Sequence, residues 1–275
     1  MEIRIREASI KDRERIIAFL KETSPDDYIF YVLDAWLNDK NGKVLIAEHE
    51  DKVVAMNHFY AKDTGEGWLE GARVHKDYRG QGIATKLAEY SLNYLAKMNV
   101  KKARLVTNSK NIAAQKHLTR TPFKLVSRWI HPHYETQSYV EVEPWKDFIS
   151  VENFLMQSQV FASVGRVLHV YYSWFDYNAS FLKQRISNGE VYFNGEELLI
   201  ICPSHRSNNS MSISYLECNP VKLLDFFNIA YSLARKNDQA VEMLFMIPAL
   251  DEYRNKLMKE KIDFSELLLY EAKIG

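Results

Sequence analysis

Cysteine is nearly absent: 275 residues hold only Cys202 and Cys218, too few and too far apart for a disulfide framework or a thiolate metal site. No run approaches the roughly 18–20 consecutive apolar residues that a membrane-spanning helix requires. Net charge is absent as well. Lys plus Arg total 36 and so do Asp plus Glu, so the basic excess of a wholesale nucleic-acid binder is missing. The opening Met1-Glu2-Ile3-Arg4-Ile5-Arg6 lacks the apolar core of a leader peptide and alternates as a strand does. These absences predict a reduced, cytoplasmic protein with no metal, no nucleic acid and no membrane among its partners. Glycine is scarce too, ten in all, so a pair at Gly80 and Gly82 stands out.

One absence is local. No acid occurs between Glu89 and Glu135, where Lys97, Lys101, Lys102, Arg104, Lys110, Lys116, Arg120, Lys124 and Arg128 fall. Such a run is either a solvated basic face or a field that draws a polyanionic ligand.

What is present is ample apolar material, 47% of the chain, in a length that predicts two domains. Residues 2–8 alternate as a strand, and Lys11–Lys21 carries Ile16, Ile17, Phe19 and Leu20 on a helical stripe. Ser24-Pro25-Asp26 predicts a second helix start, because proline suits the first helical position after a serine cap. Strands are predicted at 44–49, 52–61 and 67–74, then a glycine-bearing loop, a helix at 83–98, a strand at 103–107, a short helix at 111–119 and a strand at 123–130. This is a mixed α/β layout. Later residues repeat part of it: strands at 167–174, 190–192, 198–202, 212–217, 241–247 and 267–272, with helices at 179–186, 219–236 and 251–261. The expected division is 1–135 and 145–275, the second a diverged copy of the first.

The loop carries the most chemistry. Arg79-Gly80-Gln81-Gly82-Ile83-Ala84 joins a strand to a helix. The first backbone N–H groups of a helix lack intrahelical partners and sit at the positive end of its dipole, so they bind anions. Gly80 and Gly82 let the backbone curl towards a phosphate, and Ala84 keeps the first turn small.

Val74-His75-Lys76-Asp77-Tyr78-Arg79-Gly80-Gln81-Gly82-Ile83-Ala84 resembles the acetyl-CoA signature of the GNAT superfamily of N-acetyltransferases. The element order of residues 1–130 resembles that fold too. The resemblance covers about half of the chain and speaks for coenzyme A, not for the acceptor. It implies a fourth strand splayed from the fifth, with pantetheine in the opening. Val74 would then bind pantetheine through its backbone and polarise the thioester carbonyl. The amides of Arg79, Gly80, Gln81, Gly82, Ile83 and Ala84 would hold the pyrophosphate. Asn111 with Ala114 resembles the family's Asn-x-x-Ala helix start, where the Asn contacts pantetheine. The same Asn111 reads equally as a helix cap, and the two roles are compatible.

Acyl transfer to an amine needs a base, since free amines are largely protonated near neutrality. Glu70 stands where many members of the superfamily carry an acid; Glu66 is the second candidate. Period-two alternation places Glu70, Ala72 and Val74 on one face. The superfamily's usual general acid, a Tyr seven residues after the Asn, is replaced by Leu118. His117 is about 100° away around the helix, and Tyr134 is another candidate. Pro122-Phe123 replaces the superfamily's Gly-Phe. His131-Pro132-His133 lacks a third ligand and reads as a strand end rather than a metal site. In the second half, Ser204–Ser210 is a polar loop, and Glu217-Cys218-Asn219-Pro220 replaces the glycine loop, so no second coenzyme A site is expected.

The resulting expectation is an N-acetyltransferase. It would move the acetyl group of acetyl-CoA to a primary amine of a small molecule, an amino acid among them, or to a protein N-terminus or lysine. Arg73 is a candidate partner for an acceptor carboxylate. A non-catalytic acetyl-CoA-binding regulatory protein is the alternative, and a homodimer is left open.

Overall fold

The alternating N-terminus forms strand β1, Arg4–Glu7, in the computed structural model, which describes residues 2–136, 138–204, 209–235 and 242–275. Helices α1, Arg13–Thr23, and α2, Ile29–Leu37, follow. The second starts later than Ser24-Pro25 predicts, because Ser24 instead ends α1, its N–H donating to the Leu20 carbonyl at 2.7 Å; the Asp27 carboxylate accepts the Ile29 N–H at 3.2 Å. Then come β2 (Gly42–His49), β3 (Lys52–Ala61), β4 (Gly67–Val74), α3 (Ile83–Lys97), β5 (Lys102–Asn108), α4 (Ile112–Leu118) and β6 (Lys124–Pro132). The later elements are α5 (Phe148–Gln157), α6 (Gln159–Ser163), β7 (Val167–Val170), β8 (Ser173–Asp176), α7 (Ala179–Ser187), β9 (Val191–Phe193), β10 (Leu198–Pro203) and β11 (Ser210–Glu217). The chain closes with α8 (Leu223–Ala234), β12 (Glu242–Leu244), β13 (Ile247–Pro248), α9 (Asp251–Lys259) and β14 (Phe264–Lys273).

Two compact units result. The first comprises Met1–Thr107, Asn111–Leu125 and Tyr270–Gly275; the second comprises Asn108–Lys110 and Val126–Leu269. In the first unit the strand order is β1-β2-β3-β4-β5-β14, antiparallel through β4 and parallel between β4 and β5. One sheet face packs Leu45, Phe59 and Leu69 against Leu87, Leu92 and Leu95 of α3. The other packs Ile46 and Met56 against Ile16, Leu20, Leu33 and Trp36 of α1 and α2. Each such leucine, fully buried, contributes about 2 kcal/mol. The end of the chain belongs here: Ala272 lies in the α3-side core, and Glu271 accepts from the buried Arg104 guanidinium at 2.7 Å. Residues 270–275 therefore do not stay with the second half, where the sequence repeat puts them.

The second unit holds the order β14-β6-β13 together with a four-stranded sheet, β12-β11-β10-β9, and the hairpin β7-β8. Its core gathers Leu199, Ile201, Ile213, Leu216, Phe226 and Phe227. The single strand expected at 167–174 is that hairpin, turned at Tyr171 with φ +52°. The strand expected at 241–247 is the two short strands β12 and β13, and Val241 lies outside the described residues, as does the expected helix end at Lys236. No helix among the described residues is long and apolar enough to cross a membrane.

Candidate active site

β4 and β5 pair only where they begin, Gly67 opposite Ala103 and Trp68 opposite Arg104. Beyond Trp68 they part, although β4 runs on to Val74 and β5 to Asn108. This is the splay that the resemblance implies, and it leaves one edge of residues 69–74 without a parallel partner. On the other edge β4 pairs with β3 through an irregularity: Met56 faces Arg73 and His58 faces Glu70. Gly71 and Ala72 of β4 thus oppose the single residue Asn57 of β3, a bulge in which Gly71 has φ +65°.

The bulge corrects the expected alternation. Leu69 and Val74 both pack on the α3 side, five residues apart. Glu70 and Arg73 both turn towards the α1 and α2 side, where they meet His58, Asp27 and Tyr28. An extra residue inverts the phase of every side chain beyond it, so Glu70 and Val74 do not share a face.

The loop has the form that anion binding needs. Gly80 and Gly82 both have φ +78°, and a Cβ built on either would meet nothing within 4 Å. Their requirement is conformational, and the space above them is open to a ligand. Gly82 is the N-cap of α3, whose first turn contains no acid. Ile83 is buried and anchors the helix start. Arg79 donates Nε–H to the Val74 carbonyl at 3.1 Å, tying the loop to the end of β4, and Gln81 is exposed. Ala84 is half-buried in the first turn. Asn111 caps α4, its Oδ1 accepting the Ala114 N–H at 3.0 Å. These features fit a coenzyme with a diphosphate at the helix start and an extended arm in the splay.

Glu70 keeps 28% of its side chain accessible, on the stretch of β4 that has left β5. Its Oε1 lies 3.0 Å from His58 Nδ1 on the neighbouring strand, and the imidazole stacks on Trp36 with centroids 4.4 Å apart. Nothing in the sequence marks His58 as a partner of Glu70: it is twelve residues away, and only strand register brings the two together.

Other expected residues are already engaged. Glu66 is buried and accepts from Arg104 at 3.0 Å, so it is held in an ion pair rather than offered as a base. Arg73 makes a two-pronged contact with the buried carboxylate of Asp27, which leaves an acceptor carboxylate little of its charge. Leu118 packs into the core, 1% exposed. His117 instead meets Thr85 Oγ1 in the first turn of α3 at 3.2 Å, and burial pushes its pKa down.

In the second unit, Tyr134 donates to Asn228 Oδ1 at 3.1 Å and packs on Phe227 and Phe245. His131 lies 3.1 Å from the Tyr172 hydroxyl with its ring 5.0 Å from that of His133. Among the described residues no group of three or more His, Cys, Asp or Glu is placed to hold a metal. His205, Arg206, Ser207 and Asn208 of the polar loop lie outside the described residues. A cleft of about 620 Å³ in this unit, lined by Pro144, Lys146, Phe148 and Lys183 among others, has no carboxylate in its wall.

The sequence model of the acetyltransferase (GNAT) family matches residues 8–120. None of the curated proteins matches the chain. Among solved structures, a candidate acetyltransferase from Thermoplasma acidophilum is similar over 98% of this chain and 99% of its own, with a TM-score of 0.57 at 14% identity, a likeness of fold. The PaiA N-acetyltransferase of the same organism, solved with coenzyme A, covers 46% of this chain and 91% of its own at 17% identity and a TM-score of 0.38. A candidate streptothricin acetyltransferase from Bacillus anthracis strain Ames, solved with acetyl coenzyme A, covers 46% and 87% at 17% identity and a TM-score of 0.41. With the family match falling on the splayed strands and the glycine loop, the chain carries at residues 8–120 an acetyltransferase domain of the GNAT family.

Proposed function

We propose that this domain transfers the acetyl group of acetyl-CoA to a primary amine, with Glu70 as the base. The observation that carries the reading is the coincidence, on one strand, of a carboxylate and an edge freed for the acyl donor, next to a helix start shaped for a diphosphate. Val74 and Asn111 would hold the pantetheine arm, and the amides from Arg79 to Ala84 the diphosphate. The free oxygen of Glu70 takes a proton from the ammonium form of the acceptor. The neutral amine then attacks the thioester carbonyl: an N–C bond forms, the C–S bond breaks, and coenzyme A leaves as thiolate. The second proton of the attacking nitrogen is lost as the amide forms, and the thiolate is protonated from solvent, since Leu118 stands where an acid would.

The acceptor is read as a small amine. With Arg73 held by Asp27, no cation on β4 is reserved for an acceptor carboxylate, so amino acids are less favoured than amines without one. Residues 145–269 would contribute no coenzyme A site. The test is release of free coenzyme A thiol from acetyl-CoA across a panel of amino acids, polyamines, aminoglycosides and amino-terminal peptides. Release with at least one amine supports the reading. Tight acetyl-CoA binding with no release on any acceptor favours the regulatory alternative, for which the core position of Leu118 speaks.

A further inference from the structure

His58 is a buried titratable side chain that acetyl transfer as outlined leaves without a task. Its side chain is 2% exposed, and a buried imidazole is costly to keep unless its nitrogens are placed for a reason. The ring is clamped flat, stacked on Trp36 at 4.4 Å and 11° and on Tyr60 at 5.6 Å and 28°. That clamp blocks rotation about χ2. It aims Nδ1 at Glu70 Oε1, 3.0 Å away, and Nε2 at Asp39 Oδ2, 3.6 Å away. Nε2 has no direct hydrogen bond. The groups facing the ring are thus Glu70 from β4, Asp39 from the turn after α2, Trp36 from α2 and Tyr60 from β3.

An ionised carboxylate only accepts, so the short contact requires the proton on Nδ1. The contact occupies Oε1 and leaves Oε2, which makes no hydrogen bond among the described residues, as the oxygen open to an acceptor. A glutamate side chain has three rotatable bonds, and an unrestrained carboxylate on a partly exposed strand samples many orientations. General-base efficiency depends on the fraction of time the lone pair is aligned with the amine proton.

We propose that His58 is the positioning residue for Glu70: it holds Oε1 so that Oε2 faces the acceptor. This rests on Glu70 being the base.

The test compares Glu70→Gln, His58→Leu and His58→Asn in the full chain, using acetyl-CoA and the most active amine of the panel, with melting curves for each. Asparagine can offer an N–H near the place of Nδ1; leucine cannot. His58→Leu lowers kcat at least about tenfold with KM for acetyl-CoA unchanged, and His58→Asn recovers most of that loss. The acid limb of the pH–rate profile moves to higher pH in His58→Leu, because a carboxylate deprived of an N–H donor holds its proton more firmly, and it returns in His58→Asn.

Full kcat in His58→Leu, an unmoved limb, or equal loss in the Leu and Asn variants overturns the proposal. Should His58→Leu fail to fold, His58→Asn decides, and a loss of kcat of about tenfold despite its retained N–H donor overturns it. A slow Glu70→Gln beside a fast His58→Leu rejects the positioning alone. A fully active Glu70→Gln rejects the base and the positioning together.

Discussion

Gly71 lies directly against the indole of Trp36: a Cβ on Gly71 would come within 2.7 Å of both Cη2 and Cζ3. The same residue has φ +65° and forms the bulge that turns Glu70 away from Val74. One glycine therefore meets two demands, a left-handed backbone and a close approach to an aromatic ring. Trp36 in turn stacks on His58, so the backbone at residue 71 and the imidazole behind Glu70 rest on one side chain.

Gly71→Ala is expected to destabilise the protein by about 2–4 kcal/mol, the sum of left-handed strain and overpacking against the ring. Urea unfolding measures it. In a double-mutant cycle with Trp36→Leu, the two sites should couple by at least about 1 kcal/mol, because the leucine removes the clash but not the φ strain. Additive effects would show that the ring contact does not matter.

Gly82→Val addresses the loop. Open space above the residue means that the effect comes from backbone strain of about 1–3 kcal/mol at φ +78°, which displaces the first amides of α3. Coenzyme A affinity by calorimetry should fall at least about tenfold, with the circular dichroism spectrum retained. Unchanged affinity would remove the loop assignment.

Glu70→Gln is nearly isosteric, keeps the chain's fold and removes a base. The expected loss in kcat is on the order of a hundredfold, with coenzyme A affinity held, since general-base catalysis is worth about 10²–10⁴. Equal losses in kcat and in coenzyme affinity would point to a binding role.

His131 and His169 predict acid sensitivity in the second unit. Both are pushed down from 6.5 to about 4, His169 by burial and His131 by burial together with the neighbouring His133. A depressed histidine is favoured neutral in the folded state. Its contribution is therefore complete above pH 6.5 and is lost as pH falls towards 4. The drop is on the order of 3 kcal/mol per histidine. Urea midpoints should fall between pH 7.5 and 4.5, and less steeply in His131→Asn, which can keep the contact to Tyr172. A flat wild-type profile would contradict this.

Arg104→Met tests the attachment of the chain's end. Arg104 bridges Glu66 and Glu271 in the interior, and removing it leaves two carboxylates without their cation, a cost of about 3–5 kcal/mol. Adding Glu66→Gln and Glu271→Gln to Arg104→Met should restore part of the loss by thermal melting. No recovery would mean that packing, not charge, dominates.

Much of this was legible residue by residue. The loop at 79–84, the helix that follows and the strands of the first unit came from short-range patterns that the fold obeys. Glu70 was legible as an acid on β4, but not its partner. Period-two alternation puts Glu70 on the face of Val74, and the bulge at Gly71 reverses that. Arg73 and Glu66 read as available in the sequence, but Asp27 and Arg104, distant along the chain, engage them. Helices α5 and α6 had no counterpart in the periodic reading, and the continuous strand at 167–174 proved a hairpin turned at a non-glycine residue.

Local sequence carries the glycine loop at the start of α3, since glycine φ freedom, a helix start and the absence of acid are properties of neighbouring residues. It also determined the mixed α/β class through periodicity. That His58 stands behind Glu70, that Gly71 rests on Trp36, and that Glu271 reaches Arg104 across 167 positions of chain follow only from the packed fold. Strand register and side-chain partnership are set by which distant segments bury together, and local chemistry carries no record of that choice.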